Sequence, residues 1–169
     1  MIRFLVMDID GTLTDGKIYM GQDGELFKAF DIKDGYGVKC LLPEAKIIPV
    51  VITARNSRIV ENRCQEMSVD ELHQGKMDKY ETLMQVLKKY SELDKKAYTL
   101  ANVAYVGDDL LDLQCMRPIK EAGGFVACPK DAVDEVKDIA NYVSTRNAGN
   151  GAVREIIEKI IHAKNTCNM

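Results

Sequence analysis

The chain has 169 residues, which suits one domain with a sizeable core and is too short for two domains of ordinary size. Hydrophobic residues make up 46% and charged residues 29% of it, as in ordinary globular proteins, and the formal net charge of −3 provides no broad basic field for nucleic acid. No apolar run reaches membrane-spanning length. Five scattered cysteines without a Cys-x-x-Cys motif indicate neither a zinc site nor a disulfide framework. We therefore expect a single domain over 1–169 that is cytoplasmic and binds neither nucleic acid nor membrane.

Strands and helices alternate along most of the chain. Apolar runs bounded by turn residues predict strands at 2–7, 46–53, 69–72, 103–106, 125–127 and 142–143. Helical spacing predicts helices at 38–42, from 56 or 57 to about 67, at 78–90, from 110 onward, at 132–139 and at 152–162. Pro49 predicts that the hydrogen-bonded part of its strand begins after it, and 34–37 should interrupt the pattern. The alternation predicts a three-layer, doubly wound α/β fold of Rossmann-like type with a mainly parallel sheet.

One segment breaks this alternation. Residues 17–30 contain two short runs around the turn Gly21-Gln22-Asp23-Gly24, a pattern typical of a β-hairpin. A two-stranded hairpin is marginal alone, so we expect it to pack on something. Its apolar side chains are Ile18, Tyr19, Leu26, Phe27 and Phe30. Some of that apolar surface should be buried in an interface.

The first strand ends in two carboxylates, Asp8 and Asp10, followed by Gly11. Ligands of open α/β sheets bind at the carboxyl ends of the strands. Carboxylate and main-chain oxygens suit a hard cation such as Mg²⁺, and a carboxylate can also act as a nucleophile that forms an aspartyl-phosphate. Taken alone, an Asp-x-Asp pair is more often an acidic turn or helix cap, because short motifs match by accident.

Three further polar groups follow other predicted strands. Thr53 and Asp108 come directly after strands, and Lys79 lies at the start of the helix that follows a strand. In a parallel sheet these positions share one edge with Asp8. Each residue alone has an ordinary explanation, as a loop hydroxyl, a solvated lysine or a turn carboxylate. Together they predict a cation among carboxylates, with a hydroxyl and an ammonium completing a phosphate cradle.

The segment 7–16 resembles the first motif of the haloacid dehalogenase-like phosphatases, Asp-x-Asp-Gly-Thr/Val. The resemblance extends to Thr53 as the second motif, Lys79 as the third and 107–112, Gly-Asp-Asp-Leu-Leu-Asp, as the fourth. It implies that Asp8 is the nucleophile, that Asp10 is the general acid/base, and that Thr53 and Lys79 hold the phosphoryl oxygens.

The same resemblance implies a magnesium site. Its ligands would be Asp8, the main-chain carbonyl of Asp10, and Asp108. Asp109 would lie beside the metal, and Asp112 would sit behind the ligands and orient Lys79. Many members of the superfamily carry a cap domain, but here the segments between motifs are too short for one, so we expect the capless type with only the hairpin 17–30 added.

A narrower resemblance covers nearly the whole chain. The segments 8–16, 30–37, 60–64, 103–109 and 148–155 are similar to those of the 3-deoxy-D-manno-octulosonate 8-phosphate phosphatases. That family implies a homotetramer whose hairpins associate and whose sites are completed by a neighbouring subunit. Substrate binding is expected from two arginines. Arg55, two residues after Thr53, is placed near the phosphate end of the pocket and can donate in a fork, and Arg63, further along the following helix, is placed to reach a neighbour's site. The alternative for each is a solvated helix residue.

Two alternatives stay open at this point. The first is a phosphatase of nine-carbon keto-sugar 9-phosphates of the sialic-acid type, which tends to carry glutamate where this chain has Arg55. The second is a non-catalytic binding or regulatory module on the same fold. The sequence favours hydrolysis of a 2-keto-3-deoxy sugar phosphate, with Mg²⁺ as cofactor and an aspartyl-phosphate intermediate.

Overall fold

The first strand is the centre of a parallel six-stranded sheet. The computed structural model describes residues 1–166, and its main sheet has the strand order β5-β4-β1-β6-β7-β8. The strands of the chain are β1 Phe4–Met7, β2 Tyr19–Gly21, β3 Gly24–Phe27, β4 Ile48–Ile52, β5 Glu71–His73, β6 Val103–Val106, β7 Phe125–Cys128 and β8 Tyr142–Val143. From β1 the chain builds outward through β4 and β5, then returns to the other side of β1 with β6. The strand order therefore reverses around β1, and ligands of such sheets bind at that point.

Helices cover both faces of the sheet, as the alternation predicts. The helices are α1 Ile32–Tyr36, α2 Leu42–Glu44, α3 Arg58–Glu66, α4 Lys79–Leu93, α5 Leu113–Glu121, α6 Asp134–Ile139 and α7 Ala152–Thr166. Side chains of β1 alternate between two cores: Leu5 and Met7 pack with α3 and α7, while Phe4 and Val6 pack with α4, α5 and α6. This gives the three-layer α/β architecture expected from the sequence.

Two local predictions are wrong. Residues 34–37 do not interrupt helical structure, because α1 passes through a π-helical turn, Gly37–Leu41, directly into α2. The glycines Gly35 and Gly37 leave room for neighbouring side chains: a Cβ at Gly35 would lie 2.2 Å from Nη2 of Arg63 and displace that guanidinium, and a Cβ at Gly37 would lie 3.0 Å from Cδ1 of Ile157. Small size, not chain reversal, explains these glycines.

Pro49 lies inside β4 rather than before it. Ile48 donates its N–H to Arg3 of the β1 side, so the nitrogen of Pro49 faces the β5 side, since successive residues of a strand alternate. Pairing with β5 begins only at Val50. The missing N–H of proline therefore costs no hydrogen bond at this position.

The hairpin forms as expected, with β2 and β3 paired in a separate two-stranded sheet. The ring of Tyr19 stacks on that of Phe27, with 4.2 Å between centroids. Ile18, Met20, Leu26 and Phe27 remain between 42% and 65% exposed in the single chain. Among residues 1–166, no helix is both long enough and apolar enough to cross a membrane.

Candidate active site

Three predicted site residues emerge from adjacent strands at the switch point of the sheet. Asp8 follows β1, Thr53 follows β4 and Asp108 lies two residues beyond β6. Met7 is in register with Val51 on one side and Val106 on the other, so these strand ends lie side by side. The topology brings the three side chains to one edge, as the sequence predicts.

The loop after Asp8 folds tightly against Asp108. Thr12, Leu13 and Thr14 all direct their N–H groups to the carbonyl of Ile9, and the hydroxyl of Thr12 donates to Oδ1 of Asp108 at 2.7 Å. Gly11 has a φ of +88°, and a Cβ there would lie 2.0 Å from Oδ2 of Asp108. Glycine is therefore required both for the turn and for the approach of the carboxylate.

Lys79 links two carboxylates beneath the site. Its ammonium lies 3.0 Å from Oδ2 of Asp8 and 2.7 Å from Oδ1 of Asp112, and its side chain is fully buried. Burial alone would lower the pKa of Lys79, but the charges of Asp8 and Asp112 more than offset that effect and raise it. Lys79 is therefore a charged donor. It is the first residue of α4, and the side chain of the N-cap residue Asp78 stabilises that end of the helix by accepting the N–H of Glu81.

Asp112 organises the fourth motif. Its Oδ1 accepts from Lys79 and from the hydroxyl of Tyr105 at 2.8 Å, and its Oδ2 accepts the N–H groups of Asp108 and Asp109 at 2.9 and 3.2 Å. Burial, followed by the charge of Asp112, holds the pKa of Tyr105 well above its usual value, so the phenol stays a donor. With its oxygens in use, Asp112 suits orientation rather than metal binding.

The acidic cluster fits a hard cation. Carboxylate oxygens of Asp8, Asp108 and Asp112 lie within 4.8 Å of one another. Burial and then repulsion from Asp112 raise the pKa of Asp8 to about 6, although Lys79 opposes the shift. Burial is also the main cause that raises the pKa of Asp108 to about 8, and repulsion from Asp112 and Asp8 adds to it, while the Thr12 hydrogen bond opposes the shift. A cation between Asp8 and Asp108 would relieve this repulsion, and oxygen ligands favour Mg²⁺.

Asp10 lies on the hairpin side of the site. Its Oδ1 accepts from the ammonium of Lys28, and its Oδ2 lies 3.9 Å from Nε of Arg55. Lys28 also contacts Glu25 at 2.9 Å, and Glu25 contacts Nη2 of Arg55 at 3.3 Å. The carboxylate of Asp10 is therefore held in a network of charged groups separate from that of Asp8.

Three remaining predicted residues are less central than Asp8, Asp10, Lys79 and Asp108. Arg55 is about half exposed and lies in the Asp10 network. Arg63 contacts Glu66 at 2.7 Å, the carbonyl of Asp31 and the ring of Phe30, so among residues 1–166 its contacts lie outside the acidic cluster. Asp109 is exposed, and its carboxylate accepts from Leu110 N–H at 2.7 Å as a cap of the short 3₁₀ turn Leu110–Asp112.

Sequence reasoning missed four groups that shape the site: Thr12, Glu25, Lys28 and Tyr105. Thr12 belongs to the quoted motif and could have been assigned to Asp108 from it. Tyr105 is hidden within an apolar strand, where its hydroxyl gives no pattern. Glu25 and Lys28 are three residues apart in a predicted hairpin, a spacing that strand alternation assigns to opposite faces. They meet because β3 ends at Phe27, one residue before Lys28.

Curated relatives match nearly the whole chain. The 3-deoxy-D-manno-octulosonate 8-phosphate phosphatase KdsC of Escherichia coli K12 is 40% identical over 164 residues, which is 96% of this chain and 81% of that protein. The KdsC of Yersinia pestis is 37% identical over 166 residues, with the same shares covered. No protein-family model matches the chain.

Solved structures agree in fold at similar identity. The 3-deoxy-D-manno-octulosonate 8-phosphate phosphatase of Moraxella catarrhalis, in complex with magnesium, phosphate and KDO, has a TM-score of 0.86 at 35% identity, covering 97% of this chain and 88% of that one. The cobalt-bound phosphatase of Haemophilus influenzae has a TM-score of 0.86 at 31% identity, covering 97% and 90%. The fold, the four motifs and these relatives together establish that the chain belongs to the 3-deoxy-D-manno-octulosonate 8-phosphate phosphatase family of the haloacid dehalogenase-like superfamily.

Proposed function

We propose that this protein is a Mg²⁺-dependent phosphatase that hydrolyses 3-deoxy-D-manno-octulosonate 8-phosphate. The observation that carries the proposal is the position of Asp8: a carboxylate at the switch point of the sheet, 3.0 Å from the buried ammonium of Lys79. Thr53 and Asp108, which follow the two strands adjacent to β1, support the proposal. Family membership supplies the sugar, through relatives named for that substrate.

In the first step, an oxygen of Asp8 attacks the phosphorus of the substrate and the bond from phosphorus to the sugar oxygen breaks. Asp10, in its protonated form, gives its proton to the departing sugar oxygen, so the sugar leaves as an alcohol. Lys79 and Thr53 donate to the phosphoryl oxygens and stabilise their charge in the transition state. The phosphoryl group is then attached to Asp8 as a mixed anhydride.

In the second step, Asp10 acts as a base. It removes a proton from a water molecule that attacks the phosphorus of the aspartyl-phosphate, and the bond from phosphorus to the Asp8 oxygen breaks. Inorganic phosphate leaves and the Asp8 carboxylate is regenerated. Mg²⁺, held by Asp8, Asp108 and the carbonyl of Asp10, would supply positive charge that offsets the charge of the phosphoryl oxygens.

The substrate carries a carboxylate remote from its phosphate, so its recognition needs a cation away from Lys79. We assign Arg55 to this role. Its position two residues after Thr53 puts its main chain near the phosphate end, but its half-exposed guanidinium contacts Asp10 and Glu25, whereas Lys79 contacts Asp8 and Asp112. Its guanidinium can donate to a carboxylate in a fork. Arg63 contacts Glu66 and the carbonyl of Asp31 and not the acidic cluster of the described residues. We assign it to substrate binding in the site of a neighbouring subunit.

We also propose a cytoplasmic homotetramer assembled through the hairpins. Support comes from the four exposed apolar side chains of the hairpin, since apolar surface that is concentrated on one exposed element suits an interface. The four described cysteines are unpaired, as in a reducing compartment. Sedimentation velocity at micromolar protein should give a tetramer, and Leu26→Lys with Phe27→Lys should dissociate it. A monomer in the unaltered protein would contradict this assembly.

Phosphate release from a panel of sugar phosphates tests the proposed function. We expect the octulosonate 8-phosphate to be hydrolysed in preference to nine-carbon keto-sugar 9-phosphates. Chelation should stop turnover and added Mg²⁺ should restore it. Ca²⁺ is the control, because it has the same charge but prefers more ligands at longer distances, and it should not restore turnover to the same rate. Full activity of the metal-free protein would refute the metal assignment, and equal rates on both sugars would leave only a general sugar phosphatase.

A further inference from the structure

The end of the hairpin places the buried ammonium of Lys28 against Asp10 in the candidate active site. Lys28 lies just beyond β3, and its side chain is 1% exposed. The ammonium contacts Oδ1 of Asp10 and lies 2.9 Å from Oε1 of Glu25. Burial of a lysine ammonium is costly unless it is paired, so a fully buried one indicates a defined arrangement of partners.

Glu25 connects Lys28 to the rest of the site. Its Oε1 accepts from Lys28 and from Nη2 of Arg55 at 3.3 Å, and its Oε2 accepts from the hydroxyl of Ser57 at 2.9 Å. Ser57 is the N-cap residue of α3, yet its hydroxyl bonds Glu25 instead of the helix. The first turn of α3 is thus tied to the hairpin, and Arg55, just before it, is tied with it.

The two oxygens of Asp10 are thereby made unequal. Oδ1 is bound by Lys28, whereas Oδ2 faces Arg55 at 3.9 Å, beyond hydrogen-bond distance. Proton transfer to a leaving group needs the proton on a fixed oxygen at hydrogen-bond reach. Lys28 pairs with Glu25 as well as with Asp10. Glu25 therefore remains as a counter-ion of the buried Lys28 when Asp10 takes up a proton, and Lys28 can keep orienting Asp10.

We propose that Lys28 and Glu25 are positioning residues of the reaction: Lys28 fixes the carboxylate of Asp10 so that Oδ2 carries the transferred proton, and Glu25 fixes Lys28 and Arg55. This inference rests on the proposed function, in which Asp10 is the acid and base. Neither residue touches the reacting atoms. The hairpin is then part of the catalytic apparatus of its own chain as well as a surface for association.

This role predicts a dependence on the leaving group. A sugar alcohol leaves poorly as an anion and needs the proton of Asp10, whereas p-nitrophenolate is a stable anion and needs little help. Misplacement of Asp10 should therefore slow the first step for the sugar phosphate much more than for p-nitrophenyl phosphate. A hairpin that only supported the fold would slow both substrates alike.

The test is a single-turnover experiment with enzyme in excess, which follows release of the alcohol or phenol. For Lys28→Met we expect the rate on the octulosonate phosphate to fall at least about tenfold, from the usual size of acid catalysis, and the rate on p-nitrophenyl phosphate to fall less than about threefold. Lys17→Met is the matched control, because Lys17 lies at the start of the same hairpin with its side chain 73% exposed. Its rates on both substrates should equal those of the unaltered protein.

Glu25→Gln is the second variant, in case Lys28→Met does not fold. It keeps the size of the side chain and removes one of the two charges paired with Lys28. We expect the same selective loss on the sugar phosphate, smaller in size. An equal loss on both substrates, or no loss on either, would overturn the positioning role. Failure of the proposed function shows in the unaltered protein alone, as cleavage of p-nitrophenyl phosphate without cleavage of the sugar phosphate.

Discussion

Asp8 and Asp10 stand two residues apart, but different parts of the molecule hold them. Asp8 is held by Lys79, a fully buried residue at the start of α4. The other partner of Lys79 is the buried Asp112. Asp10 is held by Lys28 of the hairpin, and Lys28 is also paired with Glu25. One carboxylate is anchored in the core of the α/β fold and the other in an appendage to it.

This difference separates the chemistry into two parts. The nucleophile side contains charges that the core itself must balance, so damage there should harm folding and catalysis together. On the acid/base side the cation of Lys28 is also buried, but Asp10 and Glu25 keep 19% and 15% of their side-chain surface exposed and belong to the loop and the hairpin. Damage there should therefore change rate and substrate preference with a smaller effect on stability. Mutations on the two sides can therefore test whether the separation is real.

The largest effect is expected for Lys79→Met. The substitution keeps the volume but leaves Asp8 and Asp112 without their shared cation, and loss of one partner from a buried charge network costs about 3–5 kcal/mol. Denaturant unfolding should show this loss, and turnover should fall about a hundredfold or more because a donor to the phosphoryl group is gone.

Lys88→Met provides the control for this variant, since Lys88 is exposed on the same helix. Its unfolding free energy should change by no more than about 0.5 kcal/mol. If Lys79→Met were as stable and as active as this control, the charge of Asp8 would not depend on Lys79. The proposed division into a nucleophile side held by the core and an acid/base side held by the hairpin would then be wrong.

A smaller and more selective effect is expected for Arg55→Glu. The charge reversal removes the cation proposed for the sugar carboxylate and adds a carboxylate near Glu25. We expect kcat/KM on the octulosonate phosphate to fall at least about tenfold, about 1.4 kcal/mol, with stability nearly unchanged.

The matched control is Arg58→Glu, a reversal at an exposed position in the first turn of α3. Steady-state kinetics of both variants on the octulosonate phosphate and on p-nitrophenyl phosphate make the comparison. Equal performance of Arg55→Glu and the unaltered protein on the octulosonate phosphate would remove Arg55 from substrate recognition.

The nucleophile side could be predicted from the sequence for a physical reason. Asp8, Thr53 and Asp108 follow apolar strands, and a parallel sheet places the carboxyl ends of its strands at one edge. Lys79 follows from the start of a strongly periodic helix. Local patterns and sheet geometry are sufficient for these residues, so no knowledge of distant side-chain contacts is needed.

The acid/base side could not be predicted in the same way. The hairpin was evident from its turn, but the meeting of Lys28 with Asp10 depends on where β3 ends and how the hairpin folds back over the loop, as the bridge between Thr14 and Phe30 shows. Pro49 and the glycines at 35 and 37 were misread for a related reason. Their effect depends on which neighbours lie opposite, and a single sequence does not give those neighbours.

Covalent trapping on Asp8 tests the central claim most directly. In Asp10→Asn the base for the second step is absent, while p-nitrophenyl phosphate still allows the first step, so the aspartyl-phosphate should accumulate. Acid quenching, proteolysis and mass spectrometry should then find a phosphoryl group on the peptide that contains Asp8, and none in Asp8→Asn. Turnover of the unaltered protein without any phosphoryl group on Asp8 of the Asp10→Asn variant, or trapping on a different residue, would contradict the account.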